Sequence, residues 1–173
     1  MKKQLFLAGY LTLITFTCGT ILFHMNNITL PLIRAQEQKA QQSALTKVMP
    51  KAINFSETEK GMFKAISKTG ELCGYIFKVD PVGYGGAIDM LVGISNRAVT
   101  GIFILKHTET PGLGAKAEES SFQQQFVAKS IEDSFKAKKD IKAITGSTIT
   151  SQAVADGIRT AIQKYNQITL VKD

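Results

Sequence analysis

The segment Thr145-Gly146-Ser147-Thr148-Ile149-Thr150-Ser151 leads straight into Ala153, Val154, Gly157, Ile158, Ala161, Ile162 and Tyr165. Small or apolar residues at three- and four-residue spacings mark one face of an amphipathic helix, running from about Ser151 to Asn166. Thr150 or Ser151 is the natural N-cap, because a side-chain oxygen there accepts a bond from a free N–H of the first turn. The loop thus delivers Thr148 close to a helix N-terminus, where unpaired N–H groups and the positive dipole end favour a phosphate. Taken alone the segment reads more simply as a plain cap. Its partners elsewhere in the chain give it meaning.

Upstream, Phe63 to Ser67, Leu72 to Val79, Ile88 to Ile94 and Ala98 to Leu105 are rich in Ile, Val, Phe and Leu and read as strands. Ser95-Asn96-Arg97 is a turn that makes a hairpin of the last two. Ser121 to Lys129 reads as a short helix with Phe122, Phe126 and Val127 inward. These elements predict an α+β domain with an antiparallel or mixed sheet, beginning near Pro50 or Phe55.

Two loops border the strands. In Thr108-Glu109-Thr110-Pro111-Gly112-Leu113-Gly114, Pro111 fixes φ at one corner and Gly112 accepts positive φ at the next. From turn chemistry alone this reads first as a plain turn, but a tight turn of this kind can also lay Leu113 and backbone N–H groups against a flat ring while Glu109 or Thr110 bonds its polar edge. His107 is a candidate proton partner or a structural residue at a strand end. Gly83-Tyr84-Gly85-Gly86 lacks the spacing of a dinucleotide fingerprint or a phosphate loop and reads as a flexible connection, with Tyr84 near any bound ring. Asp89 on the following strand is either a buried acceptor or a charge on the hairpin face.

From Gln4 to Ile33 there is no Asp, Glu, Lys or Arg. Leu5 to Phe23 would span about 28 Å as a helix, close to the roughly 30 Å of a bilayer's hydrocarbon core. Thr12, Thr15, Thr17 and Thr20 can bond back to the helix or to a neighbouring one. Lys2 and Lys3 precede the span, so the positive-inside rule keeps the N-terminus cytoplasmic and exports the rest. The length of the apolar run, and no small-x-small site before Asn26, favour an uncleaved anchor over a signal peptide. Thr15-Phe16-Thr17 before Cys18 is a poor lipidation signal. Arg34 to Val48, rich in Ala, Gln and Lys, reads as a polar helical stalk ended by Pro50. The expected organisation is an anchor over 1–33, a stalk over 34–50 and a globular domain over 51–173.

The net charge is +7, with basic and acidic residues interleaved along the chain. Lys136, Lys138, Lys139 and Lys142 form the one dense basic group, and it reads as a solvated loop, so no nucleic-acid partner is expected. Cys18 and Cys73 stand on opposite sides of the membrane boundary and form no disulfide framework. His24 and His107 are far apart, and no metal site is expected.

Taken together and in chain order, 83–94, with its Gly83-Tyr84-Gly85-Gly86-Ala87-Ile88-Asp89, 107–116 and 145–148 resemble the covalent-FMN-binding domain of the G subunit of Rnf (or Rsx) electron-transport complexes, the resemblance running from Gly83 to Tyr165. The C subunit of the sodium-translocating NADH:quinone reductase shares these elements and is the runner-up. The resemblance implies FMN joined through a phosphoester to a threonine closing a Ser/Thr-Gly-Ala-Thr motif, which maps onto Thr145-Gly146-Ser147-Thr148 and nominates Thr148. It further implies a cofactor site of Tyr84, Glu109, Thr110, Leu113, Gly114, Thr145, Gly146 and Ser147. Ser147 stands where the family has alanine, and Lys142 where it often has an acid, with Asp140 the nearest one. The implied function is an electron-transfer subunit, not catalytic alone, in an ion-translocating ferredoxin/NAD complex. Its implied partners are membrane and iron–sulfur subunits, plus a flavin transferase for maturation. A membrane-tethered module without redox function and a free-standing flavin reductase are the competing classes, and no nicotinamide site is evident for the latter.

Overall fold

The computed structural model describes residues 2–170. The chain divides into two compact units, Met1–Ala40 and Gln41–Asp173. The first is helix throughout its described length, within α1 (Lys2–Val48). An 18-residue window of mean hydropathy 1.4 makes this helix apolar enough to cross a membrane, and none of that window is buried against protein. Thr12, Thr17 and Thr20 each donate to the carbonyl four residues back at 2.8 Å. Their hydroxyls are thereby satisfied without water, which is what an apolar surrounding requires.

The second unit is a five-stranded antiparallel meander, β1 (Asn54–Glu59), β2 (Met62–Ile66), β3 (Leu72–Val79), β4 (Asp89–Ser95) and β5 (Ala98–Lys106), neighbours in space in chain order. Three strands match the sequence reading within a residue, and β3 matches it at both ends. β1 had no signal: Asn-Phe-Ser-Glu-Thr-Glu is polar and mostly exposed, as an edge strand can be. Asn96 and Arg97, at φ 49° and 59°, form the turn between β4 and β5. Positive φ at both corners is the geometry that matches strand twist.

Both faces of the sheet are covered. Tyr75, Phe77, Val79, Met90, Val92, Ile94, Ile102 and Ile104 face the long C-terminal helix, and Ile76 and Leu91 lie in the cluster on the other side. β4 is therefore buried on both faces, which explains its unbroken apolar run. On the second face, Ala44, Leu45, Val48 and Met49 from the end of α1 and the residue beyond it are buried against Phe63, Ala65, Ile76 and Leu91. The last turns of the polar helix are thus part of the domain's core.

Two helices differ from expectation. Ser121–Lys129 is not one helix: α2 (Ser120–Gln123) gives way to a 3₁₀ turn, Gln124–Phe126. Phe122 and Phe126 point inward, but Val127 is half exposed. The competing structure is the open edge of β5. Ala128 N–H donates to the Val99 carbonyl at 2.8 Å, Val99 N–H to Lys129 at 2.9 Å, and Ile131 N–H to Arg97 at 3.0 Å. Pairing that edge satisfies more backbone than another helical turn would. The C-terminal helix α3 runs Thr148–Leu170, starting three residues earlier than expected. Ser147, not Thr150 or Ser151, holds the cap position, its carbonyl accepting the Ser151 N–H at 3.1 Å.

Candidate functional site

The loop before α3 is a turn closed by Ser147 N–H donating to the Ile144 carbonyl at 2.9 Å. Gly146 sits at its third position with φ +78°, where a side chain is strained. This turn aims Thr148, half-buried, from the first residue of α3 into a cleft. Thr148, Ile149 and Thr150 come before Ser151, the first residue of α3 whose N–H finds an acceptor one turn back, so their N–H groups lie at the positive end of the helix dipole beside the cleft. Ser151, fully buried, holds the turn from below: its Oγ donates to the Ser147 carbonyl and accepts from Ile144 N–H, both at 2.9 Å.

The opposite wall is the 108–114 loop. Leu113 N–H donates to the Thr110 carbonyl across Pro111-Gly112 at 3.2 Å, and Gly112 has φ +77°. The glycine loop forms the third side, and it is pinned, not flexible as its composition suggested. Gly83 N–H bonds the Gly86 carbonyl at 2.7 Å, and Thr108 Oγ1 bonds the Gly85 carbonyl at 2.8 Å. His107 is held on both sides, accepting from Glu109 N–H at Nδ1 (3.1 Å) and meeting Glu118 at Nε2 (3.1 Å). These bonds make it a structural post at the strand end. Asp89 is the hairpin-face charge, paired with Lys78 at 3.1 Å and about a third exposed.

The cleft so formed measures about 570 Å³, within the range of small-molecule sites. Tyr84, Glu109, Thr110, Leu113, Gly114, Gly146, Ser147 and Thr148 all line it, joined by Ile149 and Thr150. Thr145 does not. It points to a neighbouring depression shared with Lys116, Gln125 and Lys142. Ile149 was missed because a β-branched residue between two threonines reads as ordinary helix, yet it is 58% exposed on the cleft rim beside Leu113 and Tyr84. Thr150 was read as a cap, but its hydroxyl is buried and donates to Glu109 Oε2 at 2.7 Å.

The segment leading into the loop is fixed through its backbone. Lys142 N–H donates to Gln125 Oε1 at 2.8 Å, and Gln125 Nε2 reaches the Lys142 carbonyl at 3.3 Å. The Lys142 side chain stays exposed, as do those of Lys136, Lys138 and Lys139. Asp140 organises this basic loop by accepting the N–H groups of Phe135 (2.8 Å) and Lys136 (2.6 Å). Burial pushes its carboxyl upward, but the Lys136 N–H, the Ser134 hydroxyl, the Phe135 N–H and the Lys129 charge outweigh that and hold it below the usual carboxylate range.

A cleft of this size at a helix N-terminus, with apolar rim residues and a half-exposed hydroxyl, suits a phosphate-bearing, flat cofactor. The FMN-binding domain family matches residues 83–163, the stretch that builds the cleft. The chain is 32% identical to the G subunit of the proton-translocating ferredoxin:NAD(+) oxidoreductase complex of Clostridium ljungdahlii, over 92% of this chain and 90% of that one. It is 35% identical to the G subunit of the Na(+)-translocating ferredoxin:NAD(+) oxidoreductase complex of Acetobacterium woodii, over 90% and 94%. The crystal structure of Shewanella oneidensis NqrC shares the fold, with a TM-score of 0.51 at 18% identity, covering 66% of this chain and 67% of that one. The chain belongs to the G-subunit family of ion-translocating oxidoreductase complexes. With its apolar N-terminal helix it is a membrane-anchored protein.

Proposed function

We propose that this chain relays electrons within such a complex through FMN attached covalently at Thr148. The observation that carries the reading is the Thr148 hydroxyl, placed on the first turn of α3 and facing a cleft of about 570 Å³. FMN supplies reversible electron uptake when bound, and the protein supplies position and surroundings. The N–H groups of Thr148, Ile149 and Thr150 face the phosphate end, where the helix dipole offsets its charge. Gly146 leaves the approach open: a Cβ there would sit 3.1 Å from Leu113 Cδ2. Tyr84, Leu113 and Ile149 give the ring apolar walls.

Attachment joins the Thr148 oxygen to phosphorus as its hydroxyl proton and the donor's leaving group depart. A flavin transferase recognising 145–148 would perform it. Since Lys142 is held only through its backbone, its side chain remains open to that enzyme. Denatured chain produced with the transferase should carry the mass of one flavin mononucleotide by intact-mass measurement. A mass equal to the bare sequence would end the covalent reading.

In this reading 1–33 is the anchor, the exposed turns of 34–50 form a short stalk whose end joins the domain core, and 51–173 carries the flavin. The partners would be the membrane and iron–sulfur subunits of the complex. Lys2 and Lys3 ahead of an uncharged span place the domain outside the cytoplasm, on a single pass of the bacterial inner membrane. A C-terminal reporter that works only in the cytoplasm should therefore be silent, and a strong signal reverses the orientation.

The 108–114 turn should be sensitive at Gly112. There is open space around it, so φ +77° alone opposes a side chain. Gly112→Val should cost about 1–3 kcal/mol of local strain and shift the flavin absorption bands. Unchanged bands in a folded variant would remove this loop from the ring.

A further inference from the structure

Glu109 was expected to reach the cofactor's polar edge, yet its carboxylate is engaged by the protein. It is 6% exposed. Oε1 accepts the Gly85 N–H at 3.0 Å, and Oε2 accepts the Thr150 hydroxyl at 2.7 Å. Those donors belong to two of the cleft's walls, the glycine loop and the first turn of α3, and Glu109 itself stands on the third.

Two surrounding glycines, Gly83 and Gly114, leave room for this carboxylate. A Cβ on Gly83 would collide with Glu109 Oε1, and one on Gly114 with Oε2, while also lying 2.9 Å from Thr150 Oγ1. At Gly85 it would strike the Thr108 carbonyl oxygen and come 3.1 Å from Glu109 Cα. Gly83 and Gly114 show no positive φ, so conformation does not demand glycine there. Space for the carboxylate does. In the Gly83-Tyr84-Gly85-Gly86 run, Gly83 thus leaves room for the Glu109 carboxylate while Gly85 and Gly86 leave room for Thr108, which accounts for a glycine-rich segment without nucleotide-binding spacing.

We propose that Glu109 is the positioning residue of the flavin cleft: its carboxylate clamps the glycine loop to the first turn of α3, fixing Tyr84 relative to Thr148. The proposal rests on the flavin reading above for its function, while the clamp itself belongs to the chain alone. Two hydrogen bonds from separate segments to one carboxylate make a stiff link; the Thr150 bond is buried away from competing water and the Gly85 bond is part-buried. The acceptor-only carboxylate suits two donors, whereas a glutamine must offer an N–H to one of them.

The full-length chain, produced in membranes with the transferase, tests this with paired variants. Thr150→Val removes the donor at nearly constant volume, and Thr150→Ser keeps it. Glu109→Ala removes the acceptor, and Glu109→Gln keeps an oxygen for Gly85. In Thr150→Val and Glu109→Ala, Gly85 amide exchange should rise about tenfold or more. The attached flavin should lose fluorescence anisotropy and shift its absorption in both. Combining the two should do no more than Glu109→Ala, because each breaks the same link. Thr150→Ser should restore wild-type values and Glu109→Gln most of them. Gly114→Ala, one methyl group pressed against Oε2, should behave like Glu109→Ala. Wild-type exchange and anisotropy in Thr150→Val, or additive effects in the double variant, would overturn the proposal. If the wild-type chain carries no flavin, the flavin reading fails, and Gly85 exchange still decides the clamp.

Discussion

Thr148→Ala is expected to abolish denaturation-resistant flavin fluorescence while leaving the domain folded. The attachment chemistry requires an oxygen on the side chain, so loss should be complete, not graded. Stability should barely change. Among the described residues the Thr148 hydroxyl has no hydrogen-bond partner, unlike Thr150 and Ser151, and half-buried threonine to alanine on a first helical turn costs about 0.5 kcal/mol or less. Thr145→Ala should retain fluorescence, because Thr145 is exposed and faces away from the cleft. Thr150→Ala should also retain it, with a looser site and a stability loss of about 1–3 kcal/mol from the unpaired Glu109 oxygen. In-gel fluorescence after denaturing electrophoresis reads all three, provided the transferase is present. Fluorescence persisting in Thr148→Ala and mapped to another hydroxyl would move the attachment site.

The contrast among these three threonines shows where sequence reading reached its limit. Thr148 could be nominated because the family resemblance lies in a contiguous motif, supported locally by a glycine two positions before and a helix immediately after. The role of Thr150 depends on Glu109, 41 residues away, and no periodicity carries that pairing. Glu109 itself was legible as a cleft residue, because Pro111-Gly112 announces the turn, but the direction of its carboxylate was not. The same division runs through the fold. β3, β4 and β5 announced themselves because burial on one or both faces forces β-branched and aromatic residues. β1 stayed silent because an edge strand can be built from polar side chains whose backbone does the pairing. The Ser121–Lys129 reading failed where a local helix preference lost to an open sheet edge. Family membership, by contrast, was carried by three short motifs in order, and the relatives bear it out.

The largest stability effect should come from a glycine that looks misplaced. Gly93 lies inside β4, opposite Gly101 of β5, and glycine in a strand interior is normally a weakness. On strand preference alone, Gly93→Val should stabilise by up to about 1 kcal/mol. Packing opposes this. The end of α1 crosses the two glycines, and Thr100 Oγ1 donates to the Val48 carbonyl at 3.0 Å. A Cβ on Gly93 would fall 2.6 Å from Val48 Cγ1, and one on Gly101 would meet the Val48 carbonyl oxygen at 3.0 Å. Val48 is fully buried and backed by Ala44 and Leu45, so it has nowhere to retreat. Overpacking of this kind costs about 1–3 kcal/mol when the neighbours can shift, and more when backbone must move. The clash therefore outweighs the strand preference, and Gly93→Val should lower the melting temperature of the detergent-solubilised chain by on the order of 10 °C. Thr100→Val, which removes only the bond to the helix end, should cost about 1 kcal/mol. Because the flavin cleft lies among the loops and α3, loss of the α1 contact should reduce stability before it alters the flavin spectrum. A Gly93→Val chain melting at or above the wild-type temperature would show that the helix end is not seated on the sheet.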